Sequence, residues 1–303
     1  MLPNIWLPRS MQLRLETTSS ALLQPPQGRK IDFGRPRGEA ALLAPDSVSW
    51  RIFKNPISLI VGGIAAVILE LAEPAVRTGV WEHSTFLKDP MGRLRRTGLA
   101  AMVTVYGARS VAEPMIEGVI RMHARVKGET PEGEAFSAND GRLLSWVHAT
   151  ASFGFAEAYS RYVARLSQKD FDSLYREGAP VSRLYGALDA PQSTVELQKL
   201  FDSMRGRLEP SAIVFEFLRI MRETAAFPGP LRWMQPMLIR AAVQMIPDWI
   251  RESLGLTGFY GLRSRERILV NLAGAVSDRI VLRLCPAVQS CHRLGLPTAY
   301  LYS

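Results

Sequence analysis

His123 is a candidate functional residue, because its imidazole ring lies on the apolar face of a predicted helix over residues 109 to 127. Five apolar residues share its helix face at intervals of three and four: Ala112, Ile116, Val119, Ile120 and Val126. The ring is therefore expected to face the interior. A buried imidazole needs partners for its nitrogen atoms, and both a metal ion and a backbone carbonyl supply one. Spacing alone leaves a metal ligand and a structural core histidine open.

A basic cluster lies on the preceding predicted helix, over residues 89 to 107. Arg93, Arg96 and Thr97 occupy positions i, i+3 and i+4, so they share one face, while Arg95 points away. Two guanidinium groups and a hydroxyl in this arrangement can bind carboxylates, propionates or polarised dioxygen. A basic, solvated helix face is the alternative.

Two further histidines lie near these segments. His83 falls in the turn before the basic cluster, where it is equally suited to capping a helix. The predicted helix face of His148 also carries Leu144, Ser145, Ala151, Ser152 and Phe155. The small residues among these would let a second helix or a flat ligand approach the His148 ring.

The motifs that the sequence lacks narrow the choice of chemistry. It has no Gly-x-Ser-x-Gly elbow, no His-Glu-x-x-His, no phosphate-binding Gly-x-x-x-x-Gly-Lys and no dinucleotide fingerprint. Cys285 and Cys291 are separated by five residues, which fits neither a Cys-x-x-Cys metal knuckle nor a Cys-x-x-Cys-His haem attachment. Hydrolase and nucleotide chemistry are therefore disfavoured, and the two thiols are interpreted as ordinary reduced cysteines.

Positive charge dominates the composition, because 37 Lys and Arg residues against 28 Asp and Glu residues give a net charge of +9. The arginines are scattered and do not alternate with aromatic residues, so nucleic acid is not expected as a partner. Solvated arginine-rich faces are the interpretation we favour. Attraction to an anionic membrane surface or an acidic partner is the alternative.

The sequence predicts a soluble, cytoplasmic protein, with peripheral membrane contact as an open alternative. The first fifteen residues have no apolar segment of the length that a secretion signal needs. The run from Ile57 to Leu69 is apolar, but Glu70 ends it after thirteen residues. A bilayer span needs about 18 to 20 residues.

Helical periodicity prevails from Trp50 onward, which predicts an all-α fold with a helical domain over residues 49 to 303 after a partly disordered N-terminal arm over residues 1 to 48. No run alternates with a period of two for long enough to predict a sheet. Three Ser-x-x-acid pairs predict helix starts: Ser137 with Asp140, Ser167 with Asp170, and Ser193 with Glu196. The predicted helices cover residues 56 to 72, 89 to 107, 109 to 127, 139 to 166, 168 to 177, 194 to 208, 210 to 226, 230 to 245 and 265 to 284.

Seven short motifs, taken in chain order, resemble one known family. They are Leu71-Ala72-Glu73-Pro74-Ala75-Val76, His83-Ser84-x-Phe86, Asp89-Pro90-x-x-Arg93-Leu94-x-x-Thr97, Tyr106-Gly107, His123-Ala124-x-Val126-x-Gly128, Trp146-Val147-His148-Ala149-Thr150 and Ile246-Pro247-x-x-Ile250-Arg251-x-x-Leu254-Gly255-Leu256. The family is that of the rubber oxygenase catalytic domain, which includes the latex-clearing proteins and a fungal ER-bound oxygenase that cleaves a farnesyl chain. The resemblance covers about residues 50 to 256.

This resemblance implies a globin-like helical core that holds one non-covalent b-type haem and uses dioxygen as co-substrate. His123 matches the axial ligand of the iron, and His148 is a second candidate for the haem pocket. Arg93, Arg96 and Thr97 match the distal segment. There, an arginine would stabilise charge on oxygen or bind a haem propionate, and Thr97 would donate a hydrogen bond or relay a proton. Arg96 stands where the latex-clearing proteins carry a lysine.

The resemblance also implies a hydrophobic, isoprenoid-like substrate. Candidate lining residues, for which ordinary core packing is the alternative, are Met115, Met122, Phe153, Phe155 and Tyr159. Three other functions stay open: a haem-dependent oxidase or cyclase of a small metabolite, a haem-sensing or haem-carrying protein without turnover, and a helical protein that binds a membrane without a cofactor. The sequence leaves the oligomeric state undetermined.

Overall fold

A computed structural model describes residues 4–13, 15–16, 30–224 and 229–302, and over these ranges the protein is all-α. The helices are α1 Val48–Phe53, α2 Pro56–Ala72, α3 Pro74–His83, α4 Pro90–Tyr106, α5 Arg109–His123, α6 Gly141–Tyr162, α7 Gln168–Leu184, α8 Thr194–Ser203, α9 Ala212–Glu223, α10 Gln235–Met245, α11 Asp248–Ser253, α12 Ser264–Ser277 and α13 Pro286–Arg293. A hairpin of two antiparallel strands, β1 Lys127–Glu129 and β2 Ala135–Ser137, lies between α5 and α6. Short 3-10 turns cover Gly229–Met234, Gly258–Tyr260 and Tyr300–Tyr302. The predicted fold class is confirmed.

Local sequence explains where the main helices begin. The Asn55 side chain accepts hydrogen bonds from the first turn of α2, and Asp89 does the same for α4. A proline occupies the first position of both helices, where its missing N–H costs nothing. Ser167 and Asp170 form the predicted capping box of α7, so polar caps set these starts as the sequence indicates.

Tertiary contacts move several predicted boundaries. The helix predicted to run to residue 127 ends at His123, because the chain then turns into the hairpin. The predicted cap Ser137 is the last residue of β2, and Asp140 caps α6 instead. The helix predicted to run to residue 284 ends at Ser277. Helices α1, α3, α11 and α13 have only six to ten residues and were not predicted.

Helix α2 is the centre of the larger core, and it crosses α6 at a pair of glycines. A Cβ atom at Gly62 would lie 2.7 Å from the carbonyl oxygen of Gly154, and one at Gly154 would lie 2.4 Å from that of Gly62. The two backbones are therefore in direct contact. Only residues without a side chain permit this approach.

The junction between α4 and α5 is fixed by a buried arginine from the C-terminal region. The Arg293 guanidinium donates to the carbonyl oxygens of Glu39 (2.8 Å), Phe33 (2.7 Å) and Tyr106 (2.8 Å). The Glu39 carboxylate in turn accepts hydrogen bonds from the backbone and hydroxyl of Ser110, in the first turn of α5. Negative charge is favourable at a helix N-terminus, so these contacts anchor both helices at one point.

The predicted N-terminal arm over residues 1 to 48 lies partly outside the described residues, which begin at residue 4 and omit residues 14 and 17–29. Of its described part, Phe33 and Leu43 are buried in a second core with the inner ends of α4 and α5. Ile5 pairs with Ile280 through a parallel bridge. These residues are thus in contact with the helices.

Within the described ranges, no single helix has the length and hydropathy to span a bilayer. Helices α2 and α3 pass that test only when joined, and they are bent by 107° at the break between them.

We expect Gly62→Ala to destabilise the protein by about 1 to 3 kcal/mol, because the new methyl group would force α2 and α6 apart. Gly63→Ala is the matched control, since its nearest neighbour would be the Phe155 ring at 3.9 Å. Urea denaturation of both variants measures the difference. Equal stability of the two variants would contradict the importance of the crossing.

Candidate functional site

His123 is the last residue of α5 and lies on the face predicted from the apolar spacing. That face is buried at Ala112 and Ile116 and half-buried at His123. Desolvation, and then the charge of Arg93, lower the pKa of His123. The ring is therefore neutral at pH 7, and no described residue forms a hydrogen bond with it. A neutral imidazole with a free lone pair is the form that ligates a metal ion.

Arg93 lies near His123 on the adjacent helix α4. It is half-buried, it donates to the Thr97 hydroxyl, and that hydroxyl donates to the Arg93 carbonyl at 3.1 Å. Burial lowers the pKa of Arg93, but a guanidinium keeps its charge in proteins. The site therefore contains a fixed positive charge beside a neutral histidine.

The side chain of Arg96 extends in a different direction from that of Arg93, although the two residues share the predicted helix face. Its side chain is exposed, donates to the Thr85 hydroxyl and lies 3.6 Å from the Asp89 carboxylate. These contacts hold Arg96 at the N-terminal end of α4. Among the described residues, the buried Nε of the neighbouring Arg95 has no hydrogen-bond partner. Arg93, not Arg96, is thus the arginine in electrostatic range of His123.

Glu70, near the C-terminal end of α2, is a site residue that the sequence analysis missed. Burial raises its pKa to about 7, and the charge of Arg93 opposes that rise. In the sequence, Glu70 only marks the end of an apolar run. The sequence feature that could have indicated Glu70 is its spacing from Gly63 and Val67, which puts the three residues on one helix face. All three are half-buried in the structure. The charge of Arg93 on α4 therefore affects both Glu70 on α2 and His123 on α5.

His148 lies on α6 and faces α7. Its Nε2 atom is 3.7 Å from the place that a Cβ atom would occupy at Gly178, so a glycine makes room for the ring. Desolvation lowers the pKa of His148 to about 4, which leaves the ring neutral. Ser145, one turn earlier, has a buried hydroxyl without a partner among the described residues. The residue shown beside the His148 ring is thus Gly178 of α7, which the sequence did not predict.

Helices α1 and α7 link the four helices that carry these residues into a closed series of contacts: α2 on α6, α6 on α7, α7 on α5, α5 on α4, α4 on α1, and α1 on α2. The inner ends of α4 and α5 are buried in the second core. Their outer ends, with Arg93 and His123, are half-buried, as are Glu70 and His148. The site residues are therefore more exposed than either core.

His83 and the predicted apolar lining residues are distributed differently. His83 ends α3 and its ring lies 6.4 Å from that of Phe136 in the hairpin. Phe153 and Tyr159 are core residues, whereas Met122 is 54% exposed. Met115 and Phe155 are half-buried. The apolar lining predicted from the sequence is therefore not one continuous surface.

The donor set available to a metal consists of single histidines. Among the described residues, no group of three or more His, Cys, Asp or Glu side chains could hold a bare metal ion. One histidine suffices when a porphyrin supplies the other ligands of an iron.

Comparison with known families identifies the class of enzyme. Residues 50–278 match the family described as ER-bound oxygenase mpaB/B′/Rubber oxygenase, catalytic domain. The chain belongs to this family. The rubber oxygenase resemblance is thus confirmed, and the match extends beyond residue 256 to the end of α12. Searches of curated proteins and of solved structures gave no match. Membership of the mpaB/rubber oxygenase family makes the chain an oxygenase, an enzyme class that uses dioxygen.

The low pKa of His148 predicts loss of stability in acid. The unfolded histidine takes up a proton below about pH 6.5, whereas the folded ring stays neutral down to about pH 4. The stability that neutral His148 contributes is therefore complete above pH 6.5 and is lost as the pH falls towards 4. We expect His148→Phe to lessen the fall in unfolding free energy between pH 7 and pH 5 by on the order of 1 to 2 kcal/mol.

Urea titrations at the two pH values measure this effect. The matched control is His292→Phe, at an exposed histidine, which should keep the fall seen in the native protein. An unchanged fall in His148→Phe would show that this ring does not resist protonation.

Proposed function

We propose that this member of the mpaB/rubber oxygenase family is a haem b-dependent oxygenase acting on a hydrophobic substrate. The observation that carries the proposal is His123, a neutral and half-buried ring that forms no hydrogen bond with any described residue, beside the fixed charge of Arg93. Together with the family assignment, this pair supports an iron ligand next to an anion-stabilising group.

The residues present fit a haem. His123 would hold the iron, and Arg93 lies near it on the adjacent helix α4. When bound, haem supplies an iron centre that activates dioxygen for oxidation of the substrate. Arg96, exposed and only loosely paired with Asp89, is suited to a propionate at the edge of the site.

Arg93 would provide the electrostatic stabilisation. Its charge is fixed in half-buried surroundings, where charge interactions are stronger than in water. The hydrogen bond from Arg93 to Thr97 orients that hydroxyl. Thr97 would then donate a hydrogen bond to the reacting oxygen once its own bond to the Arg93 carbonyl is broken.

Glu70 would hold or release the proton that the reaction requires. A carboxyl group with a pKa of about 7 exists in both protonation states under neutral conditions, which suits general acid or base catalysis. Its position near Arg93 couples the two charges, because loss of the proton from Glu70 is favoured by the neighbouring guanidinium.

The substrate class follows from the apolar surroundings of these few polar groups. Half-buried Val67, Leu94, Val119 and Ile120 lie on the same helix faces as the polar residues or beside them. A site with apolar walls and few polar groups favours a hydrophobic ligand, and an isoprenoid-like chain fits this description. Oxidation or ring closure of a small metabolite is the second candidate, and incorporation of labelled dioxygen distinguishes the two.

We expect purified protein, expressed with adequate haem supply, to contain one b-type haem per chain, and His123→Ala to lose it. The pyridine haemochrome spectrum measures the haem content. His148→Ala is the matched control, because it removes a second neutral histidine and should keep the haem. Absence of haem from the native protein, even after reconstitution, would refute the proposal.

Arg93 and Arg96 should differ in their effect on anions bound to ferric haem. Arg93→Gln should weaken azide or fluoride binding about tenfold, since a hydrogen bond to a charged group contributes about 1.5 kcal/mol. Arg96→Gln should leave the affinity unchanged. Titrations followed by the Soret absorption give both constants, and equal effects of the two variants would contradict the role assigned to Arg93.

A further inference from the structure

Helix α12 packs against the rest of the protein through a narrow strip of its surface. Only Val270 and Gly274 of this helix are buried. A Cβ atom at Gly274 would lie 2.1 Å from the carbonyl oxygen of Tyr162, so α12 contacts the end of α6 through its backbone. It also packs on α2 and α10. Most of its circumference therefore faces outward.

The outward side of α12 carries four exposed aliphatic residues beside Arg265. Ile268 is 67% exposed and Leu272 is 59% exposed, with Leu269 and Val276 at 39% and 37%. Their spacing places them side by side on one helix face, which we call the α12 face. Exposed aliphatic residues that occur singly need no explanation, but a contiguous group on one helix marks an interaction surface.

Exposed large apolar side chains also lie in the segments next to both ends of the helix. Phe259, in the 3-10 turn before α12, is 72% exposed. Ile280, just after α12, pairs with Ile5, and the next residue, Trp6, is 52% exposed. Leu284 is 57% exposed. Aromatic side chains at such positions favour the boundary between water and lipid.

The charges around the α12 face are positive and lack counter-charges. Arg265, Arg267 and Arg283 are exposed and form no ion pair among the described residues. The acidic residues of this region are already engaged, since Glu266 pairs with Arg240 at 2.5 Å and Asp278 pairs with Lys54 at 3.2 Å. The surface therefore combines an aliphatic stripe with free arginines.

We propose that the α12 face binds the surface of an anionic lipid membrane. The aliphatic residues would enter the boundary between headgroups and acyl chains, and the arginines would contact the lipid phosphates. This inference is independent of the haem proposal, because no residue of the α12 face belongs to the candidate site.

Charge distinguishes the membrane from the other occupants of this face. In a symmetric dimer through α12, the arginines of both copies would be brought together. Residues 17–29 of the chain offer no counter-charge, because they contain no Asp or Glu. Only an anionic partner satisfies both the aliphatic and the basic parts of the surface.

The test is co-sedimentation of the full chain with phosphatidylcholine vesicles that contain or lack phosphatidylglycerol. We expect at least tenfold tighter binding to the anionic vesicles, and a loss of that binding of tenfold or more in the double variant Ile268→Asn with Leu272→Asn. Leu188→Asn is the matched control, since Leu188 is 68% exposed in the turn after α7, and should bind like the native protein. Circular dichroism and the melting temperature verify that the variants are folded.

A second variant, Arg265→Gln with Arg267→Gln, tests the electrostatic part and should reduce the preference for anionic vesicles without abolishing folding. Failure of the native protein to bind anionic vesicles would overturn the proposal, as would binding that the α12 variants leave unchanged. A dimer in light scattering that the Ile268 and Leu272 changes dissociate, without vesicle binding by the native protein, would assign the face to self-association instead.

Discussion

The contact between Gly62 and Gly154 is the constraint on which the rest of the structure depends. It sets the distance and the position at which α2 and α6 cross, because the two backbones touch there. Glu70 lies about two turns beyond the crossing on α2, and His148 lies about two turns before it on α6. The placement of both polar residues therefore follows from a contact that involves no polar side chain.

The two halves of the site differ in how they are held. The α2 and α6 half is part of the larger core, which is closed by buried apolar side chains. The α4 and α5 half is held at the junction of the two helices and is more open towards Arg93 and His123. The α2 and α6 half is therefore the more tightly packed of the two.

Sequence periodicity was sufficient for the parts of the structure that depend on local interactions. It located α2 within its observed bounds, the cap of α7 and the face of α5 that carries His123. It did not reveal Glu70 as a site residue, because its significance comes from Arg93 on a different helix. It also grouped Arg96 with Arg93, since helix spacing fixes where a side chain starts but not which partners its flexible end reaches. The contacts that give Glu70 its significance and that distinguish Arg96 from Arg93 cannot be read from local sequence patterns.

The hydrogen bonds of Arg293 at the junction of α4 and α5 are accepted by backbone carbonyl oxygens, and these groups do not titrate. Its carboxylate neighbour Glu39 keeps its charge in mild acid, because hydrogen bonds from Ser110 hold its pKa below the ordinary value. Between about pH 4 and pH 7, where His148 and Glu70 change protonation state, the junction of α4 and α5 stays as it is. Acid can therefore change the charges of Glu70 and His148 while the hydrogen bonds of this one junction remain in place.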